Sequence, residues 1–282
     1  MYEMPPKGEI CMFNFIQNEL KKINIDMVSC IFLNECNITR NYLLQRVGIS
    51  SGSVIIFAVP YLTQDSTERN ISSYAVSRDY HLFFKYLFDD IISKLKEKYP
   101  DYLFAGFSDH SPINEIDAAA KAGLGVVGTN HLLITEKHSS FVFIGEIITD
   151  AILPSFSKEI IHCIDCKQCI NACPVQISIN SCLSATTQKK GNLEEEEKNK
   201  IKQSNCAWGC DICQEVCPYT KKAIQNNTIY TNIDFFKENL TPMLTSDGID
   251  SMNDEQFSNR AYSWRGKQVI LRNLKIIEEK EN

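Results

Sequence analysis

Long apolar runs are missing from this 282-residue sequence, and so is an excess of basic charge. The longest apolar stretches, Val54–Tyr61 and Phe141–Ile148, are too short to span a bilayer as a helix. Residues Met1–Pro6 lack the basic and apolar regions of a secretory signal, so we expect a cytoplasmic protein with no membrane partner. The formal net charge of -6 gives no bulk attraction for nucleic acid, although it leaves room for a local basic patch.

Cysteine, in contrast, is abundant and clustered, with nine of the twelve cysteines between Cys163 and Cys217. The first group, from Cys163 to Pro174, has the Cys-x2-Cys-x2-Cys-x3-Cys-Pro spacing of a two-cluster bacterial ferredoxin. In that run three thiolates bind irons of one 4Fe–4S cube, and the fourth cysteine binds the other cube. Zinc prefers separated ligand pairs and disulfides need an oxidising compartment, so the spacing predicts two 4Fe–4S clusters.

Two cubes take four thiolates each, so one of the nine clustered cysteines is surplus. The eighth ligand is either Cys182 or Cys206, and spacing alone slightly favours Cys206, which lies just upstream of the second group. The spacing assigns the first cluster to Cys163, Cys166, Cys169 and Cys217, and the second to Cys173, Cys210 and Cys213. The three cysteines far from these groups lie in apolar surroundings and are predicted to be core thiols: Cys11, Cys30 and Cys36.

Alternating strand and helix patterns before the cysteine groups predict an α/β first half. Strands are expected at Ile25–Leu33, Ser53–Tyr61, Tyr102–Phe107, His131–Thr135 and Phe141–Thr149. Helices are expected at Asn14–Ile23, Asn37–Val47, Asp79–Lys98 and Asn114–Ala122, then within Gly191–Ser204 and over Phe257–Ile277. The predicted domains are therefore 1–154 (α/β), 155–225 (ferredoxin-like, double cluster) and 226–282 (a helical segment packing on both).

Two motifs of the first half are ambiguous on their own. Asp109 follows a predicted strand at its carboxyl end, where open α/β sheets bind ligands, but a turn residue before Pro112 is the simpler interpretation. Gly123–Gly128 has the letters of a dinucleotide fingerprint, yet it follows a helix and leads into a strand, the reverse of the required order. We interpret it as a turn where the backbone approaches a neighbour closely.

Five further stretches carry motifs of one family: Tyr74–His81, Asp109–Glu115 running into Ala122–Gly125, Gly145–Asp150, Cys182–Ser184, and Arg272–Asn273. Together they resemble the epoxyqueuosine reductase family, cobalamin-dependent iron–sulfur enzymes that complete the queuosine base of tRNA. For example, Tyr74–His81 looks like the family's Tyr-Ala-x-Gly-x-Asp-Tyr-His segment, and Gly145–Asp150 looks like its Gly-Glu-Ile-x-Thr-Asp. The resemblance covers most of the chain from about Val54 onward, and we expect a short form without the family's C-terminal helical repeats.

The resemblance implies an N-terminal α/β corrinoid-binding domain joined to the ferredoxin-like domain, with two 4Fe–4S clusters and cobalamin as cofactors. It implies that Asp109 faces the cobalamin and acts as the general acid, and that Ser184 contacts the corrinoid. It also favours Cys182 over Cys206 as the eighth ligand. The expected activity is reduction of epoxyqueuosine to queuosine in tRNA, by a monomer that takes electrons from a low-potential donor such as ferredoxin or flavodoxin.

The sequence departs from the family at positions that bear on tRNA specificity. Ile116 stands where the family has arginine, Val126–Thr129 replaces Trp-Ile-Gly-Lys, and the spacer between Cys173 and Cys182 is short. Two other functions therefore stay open: a cobalamin-dependent reductase of a small molecule, similar to reductive dehalogenases, or a ferredoxin-like electron carrier that activates another protein's corrinoid. The sequence leaves undecided whether the bases near its end meet phosphates or solvent: Arg260, Arg265, Lys267, Arg272 and Lys275.

Overall fold

The structure, a computed structural model, describes residues 7–64, 68–176 and 182–279. It contains two compact units. The sheet unit comprises the residues up to Pro60 together with Phe83–Asp165, and the cluster unit comprises Tyr61–Leu82 together with the chain from Cys166 onward. The N-terminal stretch Met1–Pro6, part of the loop after Gln64 and part of the spacer before Cys182 lie outside the described residues.

The strands are β1 (Met27–Phe32), β2 (Ser53–Pro60), β3 (Phe104–Phe107), β4 (Val126–Val127), β5 (Leu133–Ile134) and β6 (Val142–Thr149). The first helices are α1 (Lys7–Lys22), α2 (Asn41–Val47), α3 (Tyr80–Lys98) and α4 (Glu115–Lys121). The later helices are α5 (Gln168–Ala172), α6 (Leu183–Thr187), α7 (Glu195–Ser204), α8 (Ile212–Glu215), α9 (Pro218–Gln225), α10 (Asp234–Lys237), α11 (Ser246–Ser251), α12 (Asp254–Ser258) and α13 (Lys267–Glu278). Every strand and helix expected before Cys163 is found, although α1 begins earlier than predicted and β5 is shorter.

A four-stranded antiparallel sheet in the order β1-β2-β6-β3 forms the centre of the sheet unit. Every residue of β2 is buried, because its side chains alternate between two covered faces. Val54 and Ile56 pack with the alanines of α4 on one face, and Phe57 meets Phe84 of α3 on the other. The α/β class is confirmed, but the carboxyl-edge rule used to place a ligand beside Asp109 applies to parallel strands and does not carry over.

The predicted helix over Phe257–Ile277 is wrong in its middle. The chain forms α12, then a 3-10 turn over Ser263–Arg265, and begins α13 at Lys267. Gly266 lies between the 3-10 turn and α13. Its φ is 88°, in the left-handed region that glycine adopts without strain. The apolar periodicity continues across this break, so the sequence pattern alone does not reveal it.

The cluster unit is built from short helices. One of its apolar clusters consists of Leu183, Leu193, Ile201 and Ile276, and the large side chains Trp208, Phe236 and Tyr262 are also buried in this unit. Its first stretch is tied to the second by backbone hydrogen bonds, such as Ser72 N–H to Trp208 O (2.7 Å). The cluster unit contains residues 61–82 and 226–279 together with the cysteines from Cys166 to Cys217, whereas Cys163 lies in the sheet unit; this division differs from the predicted bounds of 1–154, 155–225 and 226–282.

The core-thiol prediction is correct for Cys30, which is buried, and wrong for Cys11, which is exposed on α1. Cys36 is half-buried, and burial raises the pKa of its thiol to about 12. Across the described ranges, every helix is too short or too polar to cross a bilayer.

Candidate functional site

Asp109 lies on a tight turn directly after β3. Its backbone φ is 58°, in the left-handed region that aspartate tolerates better than most residues, and the next N–H, of His110, donates to Ser108 O (2.6 Å). The Asp109 side chain is exposed. The turn therefore presents this carboxyl at the surface of the sheet unit, where a ligand can reach it.

The Asp109 turn is fixed by the segment before α2. The backbone N–H groups of Thr39 and Arg40 both donate to Pro112 O, at 2.8 and 3.0 Å, and Arg40 Nη1 donates to Ser111 O at 3.0 Å. His110 is also held, since its Nε2 lies 2.9 Å from the hydroxyl of Tyr42. His110 is thus a hydrogen-bonded residue of the turn.

Two carboxyls lie behind the turn: Glu115 is half-buried and Glu146 is buried. Glu115, the first residue of α4, accepts the backbone N–H of Asp109, while burial and the charge of Asp109 raise the pKa of Glu115 to about 7. Glu146 of β6 is fully buried and accepts a short hydrogen bond from the hydroxyl of Ser111; burial raises its pKa well above the usual value. One oxygen of each carboxyl has no hydrogen-bond partner among the described residues.

The structural role of Glu146 was missed at the level of sequence, where the residue entered only as part of the family segment Gly145–Asp150. The available signal was a single acid inside the apolar run Phe141–Thr149. An acid within a buried strand must be hydrogen-bonded or protonated, which marks it as unusual.

The glycine-rich turn lies beside Cys163. The backbone of Val127 pairs with the chain at Ile161 and Cys163, through N–H···O distances of 2.9 and 3.0 Å. A Cβ at Gly125 would lie 2.4 Å from the carbonyl oxygen of Ile134, which confirms the predicted close backbone approach. The turn thus fixes the backbone around Cys163, which belongs to the sheet unit.

Thr129, which replaces the family's lysine, contacts Cys163 directly. Its hydroxyl lies 3.3 Å from the Cys163 sulfur and donates to Asp165 at 2.9 Å. Burial by itself would raise the pKa of Cys163, but hydrogen bonds from Thr129 and from the backbone of Asp165 outweigh it and lower the pKa. The surroundings of Cys163 therefore make its thiol easier to deprotonate.

The other predicted cluster ligands lie on short helices and their caps. Cys169 is on α5 and Cys213 on α8, and these two helices pack against each other. Cys173 is the C-cap of α5 and precedes Pro174, while Cys217 is the N-cap of α9 and precedes Pro218. Cysteines of the two sequence groups are thus brought to neighbouring helices, as a shared pair of cubes requires.

The two candidates for the eighth ligand differ in their surroundings. Cys182 is the exposed N-cap of α6, the helix that carries the half-buried Ser184. Cys206 is half-buried, and a hydrogen bond with the thiol of Cys210 lowers its pKa. Ser184 Oγ accepts from the side chain of Gln188 at 3.2 Å.

Three of the undecided bases bind backbone carbonyls within the cluster unit. Arg260 Nη1 donates to Asn239 O (2.7 Å), Lys267 Nζ to Met252 O (2.7 Å), and Arg272 Nη1 to Lys189 O (2.8 Å). Arg265 stacks on Trp264, with the guanidinium carbon 3.7 Å from the ring centre. Most of these bases therefore stabilise the fold.

The donor set fits iron–sulfur clusters. The groups brought together on α5, α8 and the cap of α9 are thiols, which is the ligand chemistry of 4Fe–4S cubes. In the described part of the chain, no three Cys, His, Asp or Glu side chains converge on a single ion. A cube does not need such convergence, because each of its irons takes its own thiolate.

Two family models match the sequence. The model described as "Epoxyqueuosine reductase QueG, DUF1730" matches residues 44–109, and the model of a "4Fe-4S double cluster binding domain" matches residues 162–220. The first match ends at Asp109, and the second contains all nine clustered cysteines. The chain therefore contains a double-cluster binding domain.

Solved structures of epoxyqueuosine reductases show the same fold. The enzyme from Streptococcus thermophilus matches with a TM-score of 0.75 at 23% identity, over 94% of this chain and 80% of that one. A second structure, with the same TM-score, identity and coverage, contains an epoxyqueuosine-modified tRNA stem loop. The Bacillus subtilis enzyme, at TM-score 0.72 and 22% identity, covers the same shares of the two chains, and its catalytic aspartate loop is swung out of the active site.

Curated epoxyqueuosine reductases are similar in sequence. The protein of Lactococcus garvieae is 31% identical over 70% of this chain and 57% of its own length, so the match spans little more than half of that relative. The protein of Synechocystis sp. is 33% identical over 69% of this chain and 71% of its own length. The protein of Leadbetterella byssophila is 31% identical over 80% of this chain and 76% of its own length. With these matches and the shared fold, the chain belongs to the epoxyqueuosine reductase family.

Proposed function

We propose that this protein is an oxidoreductase that reduces epoxyqueuosine to queuosine in tRNA, using two 4Fe–4S clusters and cobalamin. The observation that carries the proposal is the combination, in one chain, of a double-cluster domain and a fixed turn that exposes Asp109. Two solved relatives support it, one bound to a modified tRNA stem loop and one described by its catalytic aspartate loop.

The residues present fit the implied cofactors. The clusters would be held by Cys163, Cys166, Cys169 and Cys217, and by Cys173, Cys210 and Cys213 with Cys182 or Cys206. The corrinoid would contact Asp109, which is exposed, and Ser184, which is half-buried, so a ligand can reach each of them. When bound, the clusters supply single electrons and the corrinoid supplies the nucleophile, chemistry that no side chain provides.

Asp109 supplies the proton chemistry. Removing the epoxide oxygen as water and leaving a carbon–carbon double bond consumes two electrons and two protons, and the departing oxygen must be protonated. The exposed carboxyl of Asp109 is the donor at the end of the turn. Glu115, whose pKa is raised to about 7 by burial and by the charge of Asp109, holds the Asp109 backbone N–H and positions the turn.

The remaining partners follow from this chemistry. A reducing compartment, the cytoplasm, keeps thiolates available for the clusters. The electrons come from an external low-potential donor such as ferredoxin or flavodoxin, and we propose that the protein acts as a monomer. Binding of a tRNA should weaken as salt is added, because phosphate contacts release counterions.

Anaerobic reconstitution with iron, sulfide and cobalamin tests the proposal, followed by an assay on tRNA carrying epoxyqueuosine. Asp109→Asn should retain both clusters and the corrinoid but lose turnover by about 10²–10⁴-fold, the usual contribution of a general acid. Asp101→Asn, at an exposed acid just before β3, is the matched control and should remain active. Near-normal turnover of Asp109→Asn would refute the assignment.

The same reconstitution separates the two other functions. Cobalamin binding without conversion of the tRNA would indicate a reductase of a small molecule. Failure to bind cobalamin, with both clusters present, would indicate an electron carrier or activator.

A further inference from the structure

Asn273, on the C-terminal helix α13, makes every hydrogen bond that its amide allows. The side chain is fully buried. Its Nδ2 donates to Thr187 O at 2.7 Å and to Ala207 O at 2.8 Å. Its Oδ1 accepts from Arg272 Nε at 3.0 Å and Nη2 at 2.9 Å. An amide has two donors and two acceptor sites, so the orientation of Asn273 is fully determined.

Arg272 extends this node to a third segment. While its Nε and Nη2 hold the Asn273 oxygen, its Nη1 donates to Lys189 O at 2.8 Å and to Gly191 O at 2.5 Å. The Arg272–Asn273 pair, referred to below as the amide node, thereby joins three stretches of chain: the end of α6, the loop before α7 and the residues after α7.

Two of these stretches carry the candidates for the eighth cluster ligand. Cys182 is the N-cap of α6, whose last residue, Thr187, is bound by Asn273. Cys206 directly precedes Ala207, the other residue bound by Asn273. The node therefore fixes the spacing between both candidates, whichever of them binds iron.

A second link runs from α6 to the predicted ligand Cys210. The Thr187 hydroxyl accepts the backbone N–H of Gly209 at 2.9 Å, and Gly209 has φ 69° immediately before Cys210. Apolar packing adds to this, because Cys206 and Cys210 lie against the cluster formed by Leu183, Leu193, Ile201 and Ile276. The hydrogen bonds set positions, whereas the apolar contacts are non-directional.

We propose that Arg272 and Asn273 are positioning residues for the second 4Fe–4S cluster, holding the α6 and Cys206–Cys210 segments at ligand spacing. The inference rests on the cluster assignment made in the proposed function, but not on the substrate. Partners that orient metal ligands typically change metal affinity by about 10–100-fold when they are removed.

Asn273→Leu tests the proposal, because it keeps the side-chain size and removes both donors and the acceptor. The reconstituted full chain is titrated anaerobically with a chelator, while iron content and the EPR signals of the reduced clusters are recorded. We expect about four of about eight irons per chain to be lost at a chelator concentration about 10–100-fold lower than in the wild type. The EPR signal of the second cluster should change, and that of the first should persist.

Two further variants distinguish positioning from a general loss of stability. Gln268→Leu replaces an exposed amide on the same helix and should titrate like the wild type. Arg272→Lys keeps the positive charge and leaves both N–H donors of the Asn273 amide in place. It should therefore release the same four irons, with a smaller shift of the chelator concentration. Unchanged iron release and EPR signals in Asn273→Leu would overturn the proposal, as would equal loss of both clusters. A failure of tRNA reduction alone would leave it standing, since no readout uses turnover.

Discussion

In the sheet unit every residue of β2 is buried, whereas the cluster unit buries two polar side chains, Asp211 and Asn273, that bond segments far apart in the sequence. The sheet unit is held by apolar side chains that cover both faces of one antiparallel sheet. The cluster unit also buries large apolar side chains, among them Trp208, Phe236 and Tyr262, but it adds buried polar side chains that bond segments far apart in the sequence. The two units should therefore respond differently to loss of volume and to loss of a hydrogen bond.

Asp211 is an example of the directional hydrogen bonds in the cluster unit. Between the predicted ligands Cys210 and Cys213, its carboxylate accepts the Ser73 N–H at 2.6 Å and the Ser73 hydroxyl at 2.7 Å. The hydroxyl of Ser72 and the guanidinium of Arg69 donate to it as well, the latter at 3.2 Å. A saturated buried network of this kind contributes strongly when complete and loses much of its value when one member is removed.

The largest expected effect comes from removing side-chain volume from the core of the sheet unit. Phe57→Ala removes a fully buried ring that lies 6.4 Å from the ring centres of both Phe84 and Phe88. The lost apolar contacts and the cavity should lower the free energy of unfolding of the sheet unit by about 3–5 kcal/mol. Amide hydrogen exchange of the anaerobic holoprotein resolves each unit, and protection should fall in β2 and β6 but persist in α7 and α13.

Tyr86→Ala is the matched control, because Tyr86 is an aromatic residue on the same helix as Phe84 with its side chain 58% exposed. Its effect should stay within about 0.5 kcal/mol. Equal loss of protection in both units after Phe57→Ala would mean that they unfold as one, and the contrast drawn above would not hold.

The next effect isolates hydrogen bonding in the cluster unit. Asp211→Asn keeps the shape of the side chain but replaces one acceptor oxygen by a donor, which faces either the hydroxyl of Ser72 or the N–H and hydroxyl of Ser73. Leaving buried donors unsatisfied should cost about 2–3 kcal/mol. Exchange protection should therefore fall around Ser72–Ala75 and α8, with little change in β2.

Glu215→Gln provides the control, since Glu215 binds the same arginine, Arg69, but its side chain is 49% exposed. Loss of an exposed ion pair should cost less than about 1 kcal/mol. If the two variants were equally stable, the buried network around Asp211 would contribute no more than a surface pair.

The same contrast explains which features were predictable from sequence. Ser53–Tyr61 and Phe141–Thr149 are continuous apolar runs. The spacing of Phe84, Phe88, Ile91 and Leu95 predicts an apolar stripe on α3, and all of them are buried except Phe88, which is half-buried. Buried faces of helices and strands show up in a sequence as a regular spacing of apolar residues. These elements were therefore found close to their true bounds.

The cluster unit was predictable only where cysteine spacing or a family motif marked it. The bonds that define it join residues such as Asn273 and Thr187, 86 positions apart, and a sequence carries no periodic signal for such pairs. The carbonyl partners of Arg260 and the break at Gly266 were missed for the same reason. Asp109 is similar, because without the family block around it a turn residue was the simpler interpretation.

The smallest expected effect concerns Glu115 and Glu146, two acids inside the otherwise apolar sheet unit. Glu115 has a pKa raised to about 7, mainly by burial and then by the charge of Asp109, with partial compensation from the Asp109 backbone N–H and, less, from Arg40. A raised pKa means that the folded state binds a proton more tightly than the unfolded state. The stability from this group is complete below its ordinary value of 4.5 and is lost as the pH rises towards 7.

Raising the pH from 5 to 8 should therefore destabilise the sheet unit, and Glu115→Gln should reduce that loss by on the order of 1–2 kcal/mol. The measurement is the free energy of opening of β2 and β6 at both pH values, from amide exchange corrected for the intrinsic rate. Part of the pH dependence should survive in the variant, because Glu146 faces Glu115 and its own pKa is raised by burial. If the pH dependence of Glu115→Gln matched that of the wild type, Glu115 would already be ionised at pH 5, and it could not hold a proton beside Asp109 at neutral pH.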